Sequence, residues 1–113
     1  MHEMSIAEGV LGIVRDAAAG GGLARVTAVR LEIGALSAVE PAALRFCFDA
    51  VTRGSLAEGA DLDIDQVAGA AWCFDCCETV TIASRGQPCP RCGGAKLNVT
   101  DGTEMRVKDI RGN

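Results

Sequence analysis

The segment CFDCCETVTIASRGQPCPRCGG, residues 73–94, is the most informative part of the sequence for the fold, because it contains two C-x-x-C pairs. The first pair is Cys73 with Cys76, and the second is Cys89 with Cys92. Two intervening residues let the chain turn so that both sulfurs of a pair reach one ion, and two such pairs are typical of a zinc ribbon. A redox-active dithiol and a rubredoxin-type iron site are the alternatives. Two pairs exceed what a redox motif needs, and four thiolates leave no open position for hydrolysis, so the sequence predicts structural zinc.

Two further cysteines stand outside this predicted ligand set. Cys77 directly follows Cys76, so a slipped register would use Cys77 as the ligand instead. The symmetric two-residue spacing of both pairs favours Cys76. Cys47 falls on a predicted apolar helix face, where a cysteine behaves as a small buried hydrophobic residue. The predicted zinc ligands are Cys73, Cys76, Cys89 and Cys92.

The composition describes a small acidic protein whose core contains few aromatic residues. Its 113 residues are 49% hydrophobic but only 4% aromatic, and the formal net charge is -4. Nucleic-acid binding depends on clustered lysine and arginine, and a membrane-spanning helix needs about 18 or more consecutive apolar residues. The sequence offers neither feature. We therefore expect a cytoplasmic protein that binds proteins and cations and has no nucleic-acid or membrane partner.

Two helices are predicted from apolar residues at helical spacing, over about 6–19 and 44–51. Each follows a Ser-x-x-Glu spacing that is typical of a capping box. The two capping pairs are Ser5 with Glu8 and Ser37 with Glu40. Pro41 suits a first helical turn, and glycines follow both helices.

Strands are predicted where apolar and polar residues alternate. Residues 27–33 and 61–65 alternate in this way, and Met105 and Val107 indicate a third strand near the end of the chain. In the first strand, Thr27 is expected on the same face as its aliphatic neighbours. The expected fold class is α+β, with a three-stranded sheet, two helices on one face of it, and an inserted zinc-ribbon domain.

The cysteine-rich segment lies between the second and third predicted strands. Because those strands are expected to pair within the larger unit, the ribbon is predicted to be an insertion carried on two connections. The predicted domains are residues 1–69 with 97–113, forming one discontinuous α/β domain, and residues 70–96, forming the zinc-ribbon domain.

The only histidine in the chain is at the second position. The amine of Met1, the deprotonated backbone nitrogen of His2 and the His2 imidazole can chelate one ion in fused rings. This planar, nitrogen-rich donor set suits Ni(II) or Cu(II). Glu3 is adjacent, and Glu40 at the start of the second predicted helix is a candidate for a further ligand. In an arbitrary protein such a histidine is solvated and has no function. Other features of the chain must therefore show whether His2 binds a metal.

Three segments together resemble the HypA/HybF family of hydrogenase nickel-incorporation proteins. They are the start Met1-His2-Glu3-Met4-Ser5, the segment Val39-Glu40-Pro41 with Leu44-Arg45-Phe46, and the paired C-x-x-C ribbon. The resemblance spans the whole chain. It implies a nickel metallochaperone in which His2 and Glu3 bind nickel and the four ribbon cysteines hold structural zinc. The departures are Cys77, where a small residue such as glycine is expected, and Trp72 nearby.

The resemblance also implies partners and cargo. Zn(2+) is expected as a structural ion and Ni(2+) as transiently bound cargo, delivered to the large subunit of [NiFe] hydrogenase with the GTPase HypB. Some members of the family also serve urease, and a homodimer is a further expectation.

No catalytic machinery is visible in the sequence, so we predict a carrier and not an enzyme. The alternative is a zinc-ribbon module for protein interaction or nucleic-acid binding. The basic residues of the ribbon, Arg85, Arg91 and Lys96, are accompanied by Asp75 and Glu78, which disfavours nucleic acid.

Overall fold

Two three-stranded sheets and two helices form the structure, a computed structural model that describes residues 2–113. The first sheet has the strand order β2-β1-β6 and the second has the order β4-β3-β5. The predicted α+β class with an inserted ribbon is confirmed. Within the described residues, neither helix is long and apolar enough to cross a membrane. The elements are α1 (Glu3–Gly21), β1 (Val26–Gly34), α2 (Pro41–Val51), β2 (Asp61–Val67), β3 (Gly69–Cys73), β4 (Glu78–Ile82), β5 (Leu97–Asp101) and β6 (Met105–Gly112).

Helix α1 begins earlier than its sequence pattern predicted. Its first residue is Glu3, and the backbone N–H of Ile6 already donates to the carbonyl of His2 at 2.9 Å. The expected capping box at Ser5 is therefore wrong, because Ser5 lies within the first helical turns. An acidic side chain in the first turn suits the positive end of the helix dipole, which favours a start at Glu3.

Helix α2 is capped by a different residue from the one predicted. The Glu40 carboxylate accepts a hydrogen bond from the backbone N–H of Ala42 at 3.0 Å, and Pro41 occupies the first turn. Ser37 does not cap the helix. Its hydroxyl donates to the carbonyl of Gly34 at 2.8 Å, so it closes the turn that follows β1. Glu40 thus becomes the residue that fixes the start of α2.

The first compact unit comprises residues 1–31, 39–65 and 106–113. Its two helices pack against each other, and both bury their apolar faces. Strand β1 buries its aliphatic residues as predicted, but Thr27 is exposed and its hydroxyl donates to the carbonyl of Arg111. The buried side chains of this unit include Ala7, Val10, Leu11, Val14, Val29, Leu31, Leu44, Phe48 and Leu62.

The second compact unit comprises residues 32–38 and 66–105. Strand β3 pairs antiparallel with β4 on one side and with β5 on the other. None of these three strands was predicted from the sequence. Leu36, which precedes α2 in the chain, packs in the core of this unit together with Ala71, Val80, Ile82 and two of the cysteines. The division into domains 1–69 with 97–113 and 70–96 stays a prediction.

A close backbone approach holds the second unit together where its connections meet. Gly102 has a φ of 85°, and a side chain there would begin 2.6 Å from the Cα of Gly69. Its carbonyl accepts from the backbone N–H of Leu36 at 2.8 Å. Only glycine meets both demands at this position, the left-handed φ and the lack of space. The contact anchors the segment that carries Leu36.

Candidate metal centres

The four cysteines of the two C-x-x-C pairs come together in the second unit. Their sulfur atoms all lie within 4.8 Å of one another. Cys73 and Cys92 have sulfurs 3.7 Å apart, and the sulfurs of Cys76 and Cys89 are 3.9 Å apart. A tetrahedral zinc site with bonds of about 2.3 Å has sulfurs about 3.8 Å apart. The donor set and its spacing therefore fit one tetrahedral ion.

Each C-x-x-C pair forms a tight turn whose backbone supports the sulfurs. In the first turn, the N–H of Cys76 lies 3.4 Å from the sulfur of Cys73, and the N–H of Cys77 donates to the Cys73 carbonyl. In the second turn, the N–H of Gly93 donates to the carbonyl of Cys89 in the same way. Backbone N–H groups directed at sulfur stabilise the thiolate that a metal requires.

Cys77 lies outside the sulfur cluster, so the geometry selects the register in which Cys76 belongs to it. Its side chain is exposed, and its thiol donates weakly to the carbonyl of Phe74. Its φ is 55°, and the matching position of the second turn is Gly93 with a φ of 74°. Cys77 therefore occupies a backbone conformation that glycine adopts without strain. This explains why a glycine is expected there.

We expect Cys77→Gly to stabilise the zinc-loaded protein by about 0.5–1 kcal/mol. A left-handed conformation costs a residue with a side chain roughly 1–2 kcal/mol, and the greater freedom of glycine in the unfolded chain offsets part of the gain. Urea denaturation followed by Trp72 fluorescence measures the change. Cys77→Ala is the matched control, since it removes the thiol but keeps the strain. Equal stability of the two variants would contradict the prediction.

The thiols of the cluster differ in acidity. The pKa of Cys89 is lowered to about 7, first by a hydrogen bond from the backbone N–H of Cys92 and also by that of Arg91. The pKa of Cys76 is raised to about 12, mainly by a hydrogen bond with the Cys92 side chain and by burial. Clustered thiols ionise together only when a cation balances their charge. The donor set is thus suited to a divalent ion.

An ion pair between Arg91 and Glu78 joins the two cysteine turns. Arg91 lies between Cys89 and Cys92, and Glu78 starts β4 just after the first turn. Both side chains are largely exposed, so the pair contributes at most about 1 kcal/mol. The two charges are visible in the sequence, but their pairing is not predicted by any local pattern.

The predicted nickel residues lie at the starts of the two helices of the first unit. His2 is exposed and is the N-cap residue of α1. Glu3 is buried, and its carboxylate accepts from the backbone N–H of Glu40 at 3.3 Å. Glu40 is exposed at the start of α2. Met1, also a predicted nickel ligand, lies outside the described residues.

The Glu3 carboxylate is held in its ionised form. Its pKa is lowered to about 2, and among the described residues the hydrogen bond from the backbone N–H of Glu40 contributes to this shift. The negative charge of Glu3 thus persists at neutral pH. The hydrogen bond between Glu3 and Glu40 joins two segments that are 37 residues apart in the sequence.

The comparisons with known proteins agree over nearly the whole chain. Residues 1–112 match the family described as hydrogenase/urease nickel incorporation, metallochaperone, hypA. The chain belongs to the HypA family. The hydrogenase maturation factor HypA of Albidiferax ferrireducens is 59% identical over 110 residues, covering 97% of each chain. The corresponding HypA of Rhodobacter capsulatus is 56% identical with the same coverage.

The fold is also found in a solved HypA structure. The solution structure of the Ni metallochaperone HypA from Helicobacter pylori has a TM-score of 0.70 and 24% sequence identity, and the match covers 99% of this chain and 97% of that one. HypA proteins are nickel metallochaperones of hydrogenase maturation, which associates this member with the hydrogenase maturation machinery. The family is not one of known enzymes, and a nucleic-acid or general interaction module is not favoured.

Proposed function

We propose that this HypA-family protein carries Ni(II) at its N-terminus and holds Zn(II) in the four-cysteine cluster of its ribbon. The nickel ligands are Met1 and His2, with Glu3 and Glu40 contributing oxygen donors or negative charge. The observation that supports this proposal is the hydrogen bond from the Glu40 backbone to the Glu3 carboxylate, which joins two of the candidate residues, one of them next in sequence to the exposed His2.

The chemistry of the N-terminal donors favours nickel. An amine, a deprotonated backbone nitrogen and an imidazole bind in one plane, a geometry that suits Ni(II) and that Zn(II) does not require. The ionised Glu3 and the exposed Glu40 add negative charge next to this plane. The site is open to solvent at His2, so an acceptor can reach the ion and exchange ligands with it.

The chemistry of the ribbon donors favours zinc. Four thiolates at tetrahedral spacing match the geometry that zinc prefers in structural sites, and their closed arrangement leaves no position for a substrate. When bound, the ion supplies the charge that lets all four thiols ionise and holds two turns of the chain together. The two sites therefore select different metals by their geometry, because intrinsic affinity alone does not separate nickel from zinc.

Delivery follows from this division of roles. The nickel is cargo, passed by ligand exchange to the large subunit of [NiFe] hydrogenase or to urease, with the GTPase HypB as a partner. A homodimer would present two such sites. Release requires moderate affinity, which a few ligands at an exposed chain end provide more readily than a closed cage. The protein works as a cytoplasmic carrier and performs no chemistry on a substrate of its own.

Blocking the terminal amine tests the proposal. We expect two residues added before Met1 to abolish tight nickel binding, because the amine is then replaced by an amide and the chelate rings cannot close. Isothermal calorimetry with nickel alone measures the affinity. The same two residues added after Asn113 are the matched control and should change nothing. Unaltered nickel affinity and delivery in the N-terminally extended protein would refute the proposal.

A further inference from the structure

The four cysteines of the cluster differ sharply in their exposure. Cys73 and Cys89 are 0% and 2% exposed and belong to the core of the second unit. Cys76 is partly buried and packs against that core. Cys92 is exposed. The cluster is therefore closed on the side of the core, and Cys92 is its one exposed cysteine.

The two residues that follow Cys92 are glycines, so neither of them places a side chain next to its sulfur. A side chain at Gly93 would begin in open space, with no atom within 4 Å. A side chain at Gly94 would begin 3.3 Å from the Cys92 sulfur and 2.8 Å from a carboxylate oxygen of Asp75. The two glycines thus place only backbone beside Cys92, and the carboxylate of Asp75 borders the same small region.

We propose that Cys92 is the ligand through which other molecules reach the ribbon's metal ion, and that it is the first ligand to be lost. The molecules that fit are thiol-reactive electrophiles and competing thiolate ligands, such as a cysteine of a partner protein. This inference rests on the zinc site proposed above. It makes Cys92 a modification site through which zinc is released, whereas Cys73 and Cys89 retain the ion until the core opens.

The reaction of Cys92 with a neutral alkylating reagent shows how its modification would weaken zinc binding. The Cys92 sulfur attacks the carbon of iodoacetamide, a sulfur–carbon bond forms, and iodide leaves with the bonding electrons. The product is an uncharged thioether, which is a much weaker ligand than a thiolate. After this reaction only Cys73, Cys76 and Cys89 would hold the ion as thiolates, so a chelator would remove it more readily.

Mass spectrometry of the zinc-loaded protein tests the order of reaction. Substoichiometric iodoacetamide is added in the presence of a chromogenic zinc chelator, and the modified cysteines are identified at successive times. We expect Cys92 to react at least about tenfold faster than Cys73 or Cys89, with one zinc released for each Cys92 modified. Cys77 is an internal control, because it is exposed but outside the cluster and its labelling should release no zinc.

Other outcomes would overturn the inference. Earlier modification of Cys76, or labelling of all four cysteines at one common rate, would show that Cys92 is no separate point of access. The zinc content before labelling tests the zinc site itself, so failure of the two proposals can be distinguished. Without bound zinc the zinc proposal fails, and with one zinc per chain but another order of reaction only the present inference fails.

Asp75 offers a second test that does not alter any cysteine. In Asp75→Asn, we expect the rate of Cys92 modification by anionic iodoacetate, relative to neutral iodoacetamide, to rise about threefold, because a nearby negative charge is removed. Asp61→Asn, which removes an exposed charge from β2, is the matched control. An unchanged ratio in Asp75→Asn would show that the carboxylate does not border the reacting sulfur.

Discussion

His2→Ala is expected to lower nickel affinity at least about 100-fold, since even the loss of an outer-shell partner commonly costs 10–100-fold at a metal site. In the proposed site, the substitution removes the imidazole nitrogen that closes one chelate ring. The terminal amine and the backbone nitrogen remain, but they form a weaker two-donor site. Titration calorimetry with nickel measures affinity and stoichiometry together.

An effect of His2→Ala on nickel binding can be distinguished from an effect on folding. His2 is exposed, and it contributes to the start of α1 through its backbone carbonyl, which accepts from the N–H of Ile6. Zinc content and the unfolding temperature should therefore be unchanged. Ser5→Ala, another exposed change in the first turns of α1, is the control and should leave nickel binding intact. Equal affinity of wild type and His2→Ala would remove His2 from the nickel site.

Cys89→Ser is expected to abolish zinc binding and to unfold the second unit. The buried side chains around Cys89 are small and aliphatic, and they include Leu36, Ala71, Val80 and Ile82. Structural zinc supplies on the order of 10–16 kcal/mol in small zinc-finger peptides. The apolar core of this unit is too small to replace such a contribution. Loss of the ion should therefore leave the side chains of the second unit without fixed packing.

Two measurements follow the loss in Cys89→Ser. Zinc content should fall from one per chain to none, and amide protection in β3, β4 and β5 should disappear. Cys77→Ser is the matched control, because Cys77 is exposed and outside the sulfur cluster. A Cys89→Ser protein with bound zinc and protected strands would show that the cluster does not hold the unit together.

Helix starts show where local sequence patterns misled the prediction. Both Ser-x-x-Glu spacings suggested capping boxes, yet α1 starts at Glu3 and Glu40 itself caps α2. The pattern records which residues are able to cap. It does not record competing partners, such as the carbonyl of Gly34 that takes the hydroxyl of Ser37. The ribbon strands were missed because they are short and their apolar residues are interrupted by threonine and cysteine.

Local sequence patterns are enough to predict the features that depend on neighbouring residues. The C-x-x-C spacing is sufficient to bring two sulfurs together in each pair, and the aliphatic alternation of β1 is sufficient to give it a buried face, because both act over a few residues. Contacts between distant residues become visible only in the folded chain. There the Glu3 carboxylate pairs with the backbone of Glu40, Leu36 packs in the core of the second unit, and Cys92 is the exposed cysteine of the cluster. Such contacts arise from packing between segments far apart in the chain, and no local pattern contains that information.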